Sequence, residues 1–113
     1  MKMLTKEILE RLPKLYANED KKPEDVKVIV KFFDPTGSWS WYATEGQPVI
    51  EDGKEVDFEF FGYVRGFDNE LVYFTLNQLL HAKDNVRGLQ SLPIERDMHF
   101  GEHTLAEVME KDL

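Results

Sequence analysis

The side chains best typed and spaced for chemistry lie at His99-Phe100-Gly101-Glu102-His103. They fit H-x-x-E-H, an order that in inverted zinc proteases places two imidazoles and a glutamate around one metal. That chemistry needs a helix, which sets residues four apart about 6 Å from each other on one face. Gly101 interrupts such a helix, and Thr104-Leu105-Ala106-Glu107 is a capping box that starts one after the motif. In an extended chain the two histidines stand roughly 13 Å apart, at about 3.3 Å per residue. One zinc with bonds of about 2 Å cannot join them unless a tight turn does so first. No metal site and no cofactor is expected.

Glu45, Arg96 and Asp97 are polar residues that border apolar strands. Arg96 could hold a carboxylate in a bidentate pair; alternatively, it forms a structural salt bridge with Glu45 or Glu95. If Trp41, Glu45, Arg96 and Asp97 share one region, Arg96 would bind an anionic group and a carboxylate would act as acid or base. Trp39-Ser40-Trp41-Tyr42 is the densest aromatic cluster. Alternation sends Trp39 and Trp41 to one face, where they fill a core. Tyr42 falls on the other face and is the candidate for a surface contact. Glu45, Glu51, Asp52, Glu55, Asp57 and Glu59 form an acidic stretch opposed only by Lys54, and Glu51 to Glu59 are its candidate acidic face. On a strand, Glu55, Asp57 and Glu59 share a face at about 6.6 Å spacing. Such a row could occupy the basic groove of a nucleic-acid-binding protein, or it could be a solvated edge that discourages aggregation. No serine, histidine and acid spacing suggests a catalytic nucleophile. No glycine-rich loop suggests a phosphate cradle.

The elements that must position these residues follow from pattern. Glu55 to Leu80 reads as a β-hairpin followed by a helix. Val56, Phe58 and Phe60 alternate with Asp57 and Glu59, and Gly66-Phe67-Asp68-Asn69 makes the turn. In the run Glu70 to Phe74, Leu71 and Tyr73 share one face, Val72 and Phe74 the other. Thr75 and Gln78 form a capping box for the helix. A second hairpin joins Val26–Phe33 to Ser38–Thr44 through Asp34-Pro35-Thr36-Gly37. Glu45 to Lys54 reads as a loop closed by Asp52-Gly53. Thr5 caps a first helix bearing Ile8, Leu9 and Leu12, which Pro13 ends; Leu15 and Tyr16 pin its exit to the core. The polar run from Asn18 to Asp25 is an exposed loop. The pattern weakens from Ala82 to Ser91, where Gly88 breaks it and Leu89 and Leu92 anchor it. Leu92 to Phe100 enters a short strand, kept to an edge or a late start by Pro93. Leu105, Val108 and Met109 are the apolar stripe of a last helix. The expected fold is α+β. It is a single domain over residues 1–113, with an antiparallel sheet of about four to five strands built from two hairpins. Short helices lie at both ends and after the central hairpin. One sheet face packs on helices and the other is partly exposed.

The composition bounds the partners. A chain of 113 residues buries roughly two thirds of its unfolded surface, and eight Phe, four Tyr and two Trp can fill the core. With no cysteine, thiol catalysis and Cys-ligated metals are excluded, and a reducing cytoplasm fits. The formal net charge of −8 disfavours direct nucleic-acid binding, whose affinity comes from neutralising phosphates. No stretch reads as a signal peptide or a membrane span.

The chain also resembles a family of bacterial proteins catalogued as a domain of unknown function, DUF2958. The resemblance lies in Leu4-Thr5-Lys6-Glu7, Leu12-Pro13, Leu15-Tyr16, Val30-Lys31-Phe32-Phe33, Trp39 through Glu45, Phe61-Gly62, Gly66-Phe67, Leu71 to Leu76 and Leu92 through Asp97. It implies a small cytoplasmic accessory protein of plasmids, phages or integrative elements, acting through a protein partner. It supplies no catalytic residues.

Overall fold

The structure, a computed structural model, describes residues 2–82 and 92–113. Apart from Ala82 and Leu92, the weakly patterned stretch with its Gly88 break and Leu89 anchor lies outside the described residues. In chain order the elements are a helix α1 (Lys6–Arg11), a 3-10 turn (Pro23–Asp25) and strands β1 (Lys27–Val28), β2 (Val30–Phe33), β3 (Ser40–Glu51), β4 (Lys54–Arg65) and β5 (Asn69–Thr75). Helix α2 (Leu76–Leu80), strands β6 (Glu95–Arg96) and β7 (His103–Thr104) and helix α3 (Leu105–Glu110) follow. The fold is α+β, as the patterning indicates. A five-stranded antiparallel sheet has the order β5-β4-β3-β2-β6, and β1 pairs with β7 in a separate two-stranded ladder.

Capping residues set the helix starts. Thr5 accepts a hydrogen bond from the Ile8 amide. Thr75 with Gln78, and Thr104 with Glu107, complete both halves of a capping box. Each such cap stabilises by about 1 kcal/mol. Helices this short need tertiary packing as well. Ile8 and Leu79 supply it on one sheet face, Leu105 and Val108 on the other.

Three hairpins build the sheet, not two. The segment expected as a loop, Glu45 to Lys54, is instead the outer half of a 12-residue β3 and the turn into β4. Asp52 and Gly53 both take positive φ, 51° and 77°. These are the two central positions of a tight turn whose twist matches the strands, for which Asp-Gly is a strong signal. Pro48 pairs with Phe58 beyond the end of β2, so among the described residues β3 has no second strand neighbour there. Its missing amide donor is tolerated for that reason.

The expected strand Val26–Phe33 is also divided. Val26, Val28, Val30 and Phe32 are all buried, as alternation predicts. The chain nevertheless changes ladder at Ile29, whose amide donates to Ala43 O at 2.9 Å. The divided strand therefore serves two cores. The front core holds Phe32, Trp41, Phe58, Phe60 and Phe74 beneath α1 and α2; the back core holds Val28, Tyr42, Tyr63 and Val108 beneath α3. Each fully buried aromatic contributes about 1.5–3 kcal/mol.

Trp39 and Trp41 behave as core residues. Trp41 is buried, and half-buried Trp39 packs edge-on against Phe67 at 5.1 Å. The Tyr16 ring does not join the core, the residue being 62% exposed, and of the two side chains only Leu15 is buried. Leu9 and Met109 likewise lie at the surface.

Gly62 sits where β4 passes β3, and an added Cβ would collide with the Tyr42 carbonyl oxygen. Around Gly53 nothing lies within 4 Å. Gly62→Ala should therefore destabilise by about 1–3 kcal/mol or more, with m-value unchanged in urea unfolding. Gly53→Asn, which tolerates the left-handed region, should change stability by less than about 1 kcal/mol. Equal effects at the two glycines would contradict this strand contact.

Candidate functional site: a groove around Glu45

One inserted residue decides where Glu45 points. Ala43 pairs with Gly62, but Glu45 pairs with Phe61, so Thr44 is the extra residue of a β-bulge. Regular alternation would put Glu45 on the front face with Trp41 and Ala43. The bulge turns it to the back, level with Phe61 and Tyr73. Thr44 is fixed by donating its hydroxyl to Phe61 O at 3.2 Å.

The segment after α1 closes over this bulge. Gly46 N donates to Pro13 O at 2.9 Å, and Leu15 N to Gln47 Oε1 at 3.3 Å. Tyr16 N donates to Glu45 Oε1 at 2.6 Å, and Asn18 Nδ2 to Thr44 O at 3.5 Å. Tyr16 is held at φ 74°, a strained value for a residue with a Cβ. The strain fits its double anchorage by buried Leu15 and by the Glu45 carboxylate.

These contacts enclose a back groove of about 320 Å³. Glu45, 4% exposed, and Thr44 lie at its floor; Tyr16, Phe61, Leu71 and Tyr73 form the aromatic and apolar side. The Tyr16 and Tyr73 rings are 6.1 Å apart, and Phe61 and Tyr73 4.9 Å, both pairs tilted by 58°. The Tyr73 phenol is held above its ordinary pKa, first by a hydrogen bond with the Tyr16 side chain that favours its protonated form. Partial desolvation and the negative charges of Glu45 and Glu59 push the same way. Tyr73 is therefore a neutral phenol at physiological pH.

The other sequence candidates do not converge here. Arg96 pairs with Phe32 on β6, and its Nε donates to Lys2 O at 3.1 Å. Asp97 lies 3.8 Å from Lys31 Nζ, and its Oδ1 accepts from His99 N at 2.9 Å. Both line a different cavity, of about 290 Å³, with Arg11 and Glu102. Four residues along β3 and two strands across separate Glu45 from Arg96 by roughly 16 Å, from strand rise and spacing. Trp41, Glu45, Arg96 and Asp97 thus form no common site.

Tyr42, expected at the surface, is fully buried. Its face is covered by Phe100, with ring centroids 5.8 Å apart, and its hydroxyl donates to Leu113 O at 3.1 Å. Burial, the largest cause, raises its pKa. The signal that foretells this burial is the apolar stripe of the last helix, whose Leu105 and Val108 need a sheet face of their own.

The acidic row is broken as well. A second register shift falls between Val49 and Ile50, which pair with Asp57 and Glu55. Val56 is the extra residue, so Glu55 turns to the front face, away from Asp57 and Glu59. Asp57 Oδ1 accepts from Phe58 N at 2.7 Å and from Asn77 N at 3.0 Å, serving the first turn of α2. Glu51 and Asp52 are exposed at the hairpin tip.

His99 and His103 are not on a helix. His103 lies on β7, and its Nδ1 is 3.3 Å from Glu107 Oε2. The Thr104 backbone amide, first, and then His103 hold Glu107 below its ordinary pKa. No group of three or more potential metal ligands occurs among the described residues.

A front groove is larger, about 990 Å³, and runs between α1, α2 and the β3–β4 hairpin. Its polar residues Lys2, Lys14, Gln47 and Glu55 are all exposed. The back groove is the better candidate because its floor carries a buried carboxylate, which needs compensation by hydrogen bonds or a partner.

Two titrations check the back groove. Tyr73 should ionise above the ordinary phenol value, and Tyr16→Phe should bring it back toward that value. The stability from this pair is full below the unfolded phenol pKa and is lost as pH rises through Tyr73's own value. An unchanged Tyr73 titration in Tyr16→Phe, read by ultraviolet difference or NMR, would contradict the contact.

The description "Protein of unknown function (DUF2958)" belongs to the family model that the chain matches over residues 3–111. No curated protein and no solved structure matches. The described helices contain none long and apolar enough to cross a membrane. With nearly its whole length matched, the chain belongs to the DUF2958 family.

Proposed function

We propose that this chain is a non-enzymatic binding module and that the back groove around Glu45 is its binding site. The observation that carries this reading is the buried Glu45 carboxylate, fixed through one oxygen by the Tyr16 amide at the floor of an open, aromatic-walled groove. Such a site combines apolar contact area with a fixed polar group that orients what enters.

The groove's own chemistry favours binding over turnover. The Thr44 hydroxyl is committed to Phe61 O, and Tyr73 is held protonated, so neither is poised as a nucleophile or base. Among the described residues the other carboxylate lining the groove, Glu19, is exposed rather than buried beside Glu45. The splitting of Glu55 from Asp57 and Glu59 removes the main support for an acidic DNA mimic. The setting we propose is the cytoplasm of a bacterium carrying a mobile element, with a protein partner. It rests on the family resemblance and on the cysteine-free composition.

Native mass spectrometry of the protein isolated from cells tests the reading. A species retained by the wild type and by Glu24→Ala, but lost at least tenfold in Tyr73→Ala, is expected. Equal retention by Tyr73→Ala, or turnover in a hydrolase and nuclease screen, would overturn it.

A further inference from the structure

The back groove has the features of a cation receptor. Tyr16, Phe61 and Tyr73 set their rings around one opening, and the faces of such rings carry partial negative charge. Glu45 adds a full charge from the floor, where burial weakens screening by water. Glu59 lies on the same sheet face, and its charge reaches the Tyr73 hydroxyl. At the rim, Glu19 and Lys21 offset each other. The balance is negative, and the chain's overall charge of −8 steers cations toward it.

The bonding of Glu45 narrows the class of cation. A guanidinium binds a carboxylate best as a fork, using both oxygens. Here Oε1 already accepts from the Tyr16 amide at 2.6 Å and Glu45 is 4% exposed, so a broad planar fork would have to share that oxygen and reach a covered carboxylate. An ammonium is a compact charge that needs no fork, and a methylated one needs no hydrogen bond at all. Rings and a nearby carboxylate are the surroundings in which quaternary ammonium groups are recognised.

We propose that the back groove binds an alkylammonium group, with methylated forms preferred, presented either by a lysine side chain of a partner protein or by a free amine. The inference rests on the groove being the binding site, and it adds the chemistry of what enters.

The test uses the full chain and five probes followed by NMR shifts of the Tyr16, Phe61 and Tyr73 amides. The probes are choline, its uncharged isostere 3,3-dimethyl-1-butanol, and the blocked amino acids Nα-acetyl-lysine amide, its Nε-trimethyl form and Nα-acetyl-arginine amide. Choline and trimethyl-lysine should bind at least about tenfold more tightly than the uncharged isostere, the factor expected for a partly desolvated cation–π site. Trimethyl-lysine should exceed arginine. Tyr73→Leu should reduce this preference severalfold, and so should Glu45→Gln if its amide dispersion shows that it still folds. A trimethyl-lysine probe that binds better than choline points to a protein side chain; the reverse points to a free amine. Equal binding of the uncharged isostere, or tighter binding of arginine, overturns the inference while leaving the groove as a site. Absence of shifts with every probe at tens of millimolar also overturns it. Failure of the binding-site reading itself would appear separately, as a cellular species still retained by Tyr73→Ala.

Discussion

The hydrogen bond from the Tyr16 amide to Glu45 is the contact on which the organisation of the back face depends. It exists only because Thr44 is an extra residue in β3. Without that bulge, Glu45 would enter the front core among Trp41, Phe60 and Val64, where an ionised carboxylate has no partner and would cost several kcal/mol. With it, the carboxylate reaches the one segment that passes over the back of the sheet between α1 and the 3-10 turn. Four hydrogen bonds between residues 13–18 and 44–47 then replace the strand neighbour that β3 lacks beyond β2. The same contacts leave an aromatic groove open to solvent. A structural need and a candidate binding site therefore share one residue.

The sheet can carry two cores because its strands differ in what they cover. The front is closed by α1 and α2 over a continuous set of phenylalanines, with Phe60 between Phe32 and Phe74 at 5.5 and 5.1 Å. Among the described residues, α3 closes the back over Tyr42 of β3 and Tyr63 of β4. Arg65 holds that helix from below, donating through Nη2 to Val108 O at 2.7 Å. An arginine on a helix's last carbonyls satisfies groups the helix cannot, and it favours the negative end of the dipole. The remainder of the back face, with Phe61, Leu71 and Tyr73, stays partly open. Half-buried Phe61 and exposed Leu71 and Tyr73 are the opposite wall of the groove.

Local chemistry was legible in the sequence wherever it was self-contained. The three threonine caps, the hairpin turn at Gly66–Asn69 and the alternating burial of Val26, Val28, Val30 and Phe32 all follow from neighbours a few residues apart. Asp52-Gly53 was a readable turn signal, but Gly46 and Pro48 masked the strand before it. Only the end of β2, a tertiary fact, makes Pro48 acceptable there. Bulges are the harder case. Alternation has period two, so one inserted residue at Thr44 or Val56 reverses every later assignment of face. Nothing in the types of those residues announces the insertion. That is why alternation misplaces Glu45 and Glu55, whereas Tyr42, which precedes the insertion, has the expected face and is buried because α3 and Phe100 cover it. The groove itself joins residues 29 positions apart through a backbone amide, a contact that side-chain types do not record.

A backbone amide at an exposed residue, Tyr16, is held by a buried carboxylate, Glu45. Native-state hydrogen exchange of the Tyr16 amide measures that directly. Tyr16 is 62% exposed as a residue, and its segment has no strand ladder of its own. Protection of its amide at the level of the neighbouring β3 amides, lost in Glu45→Ala while the front-core amides of Phe60 and Phe74 keep theirs, is the predicted result. Exchange of the Tyr16 amide at the rate of an open loop in the wild type would contradict it.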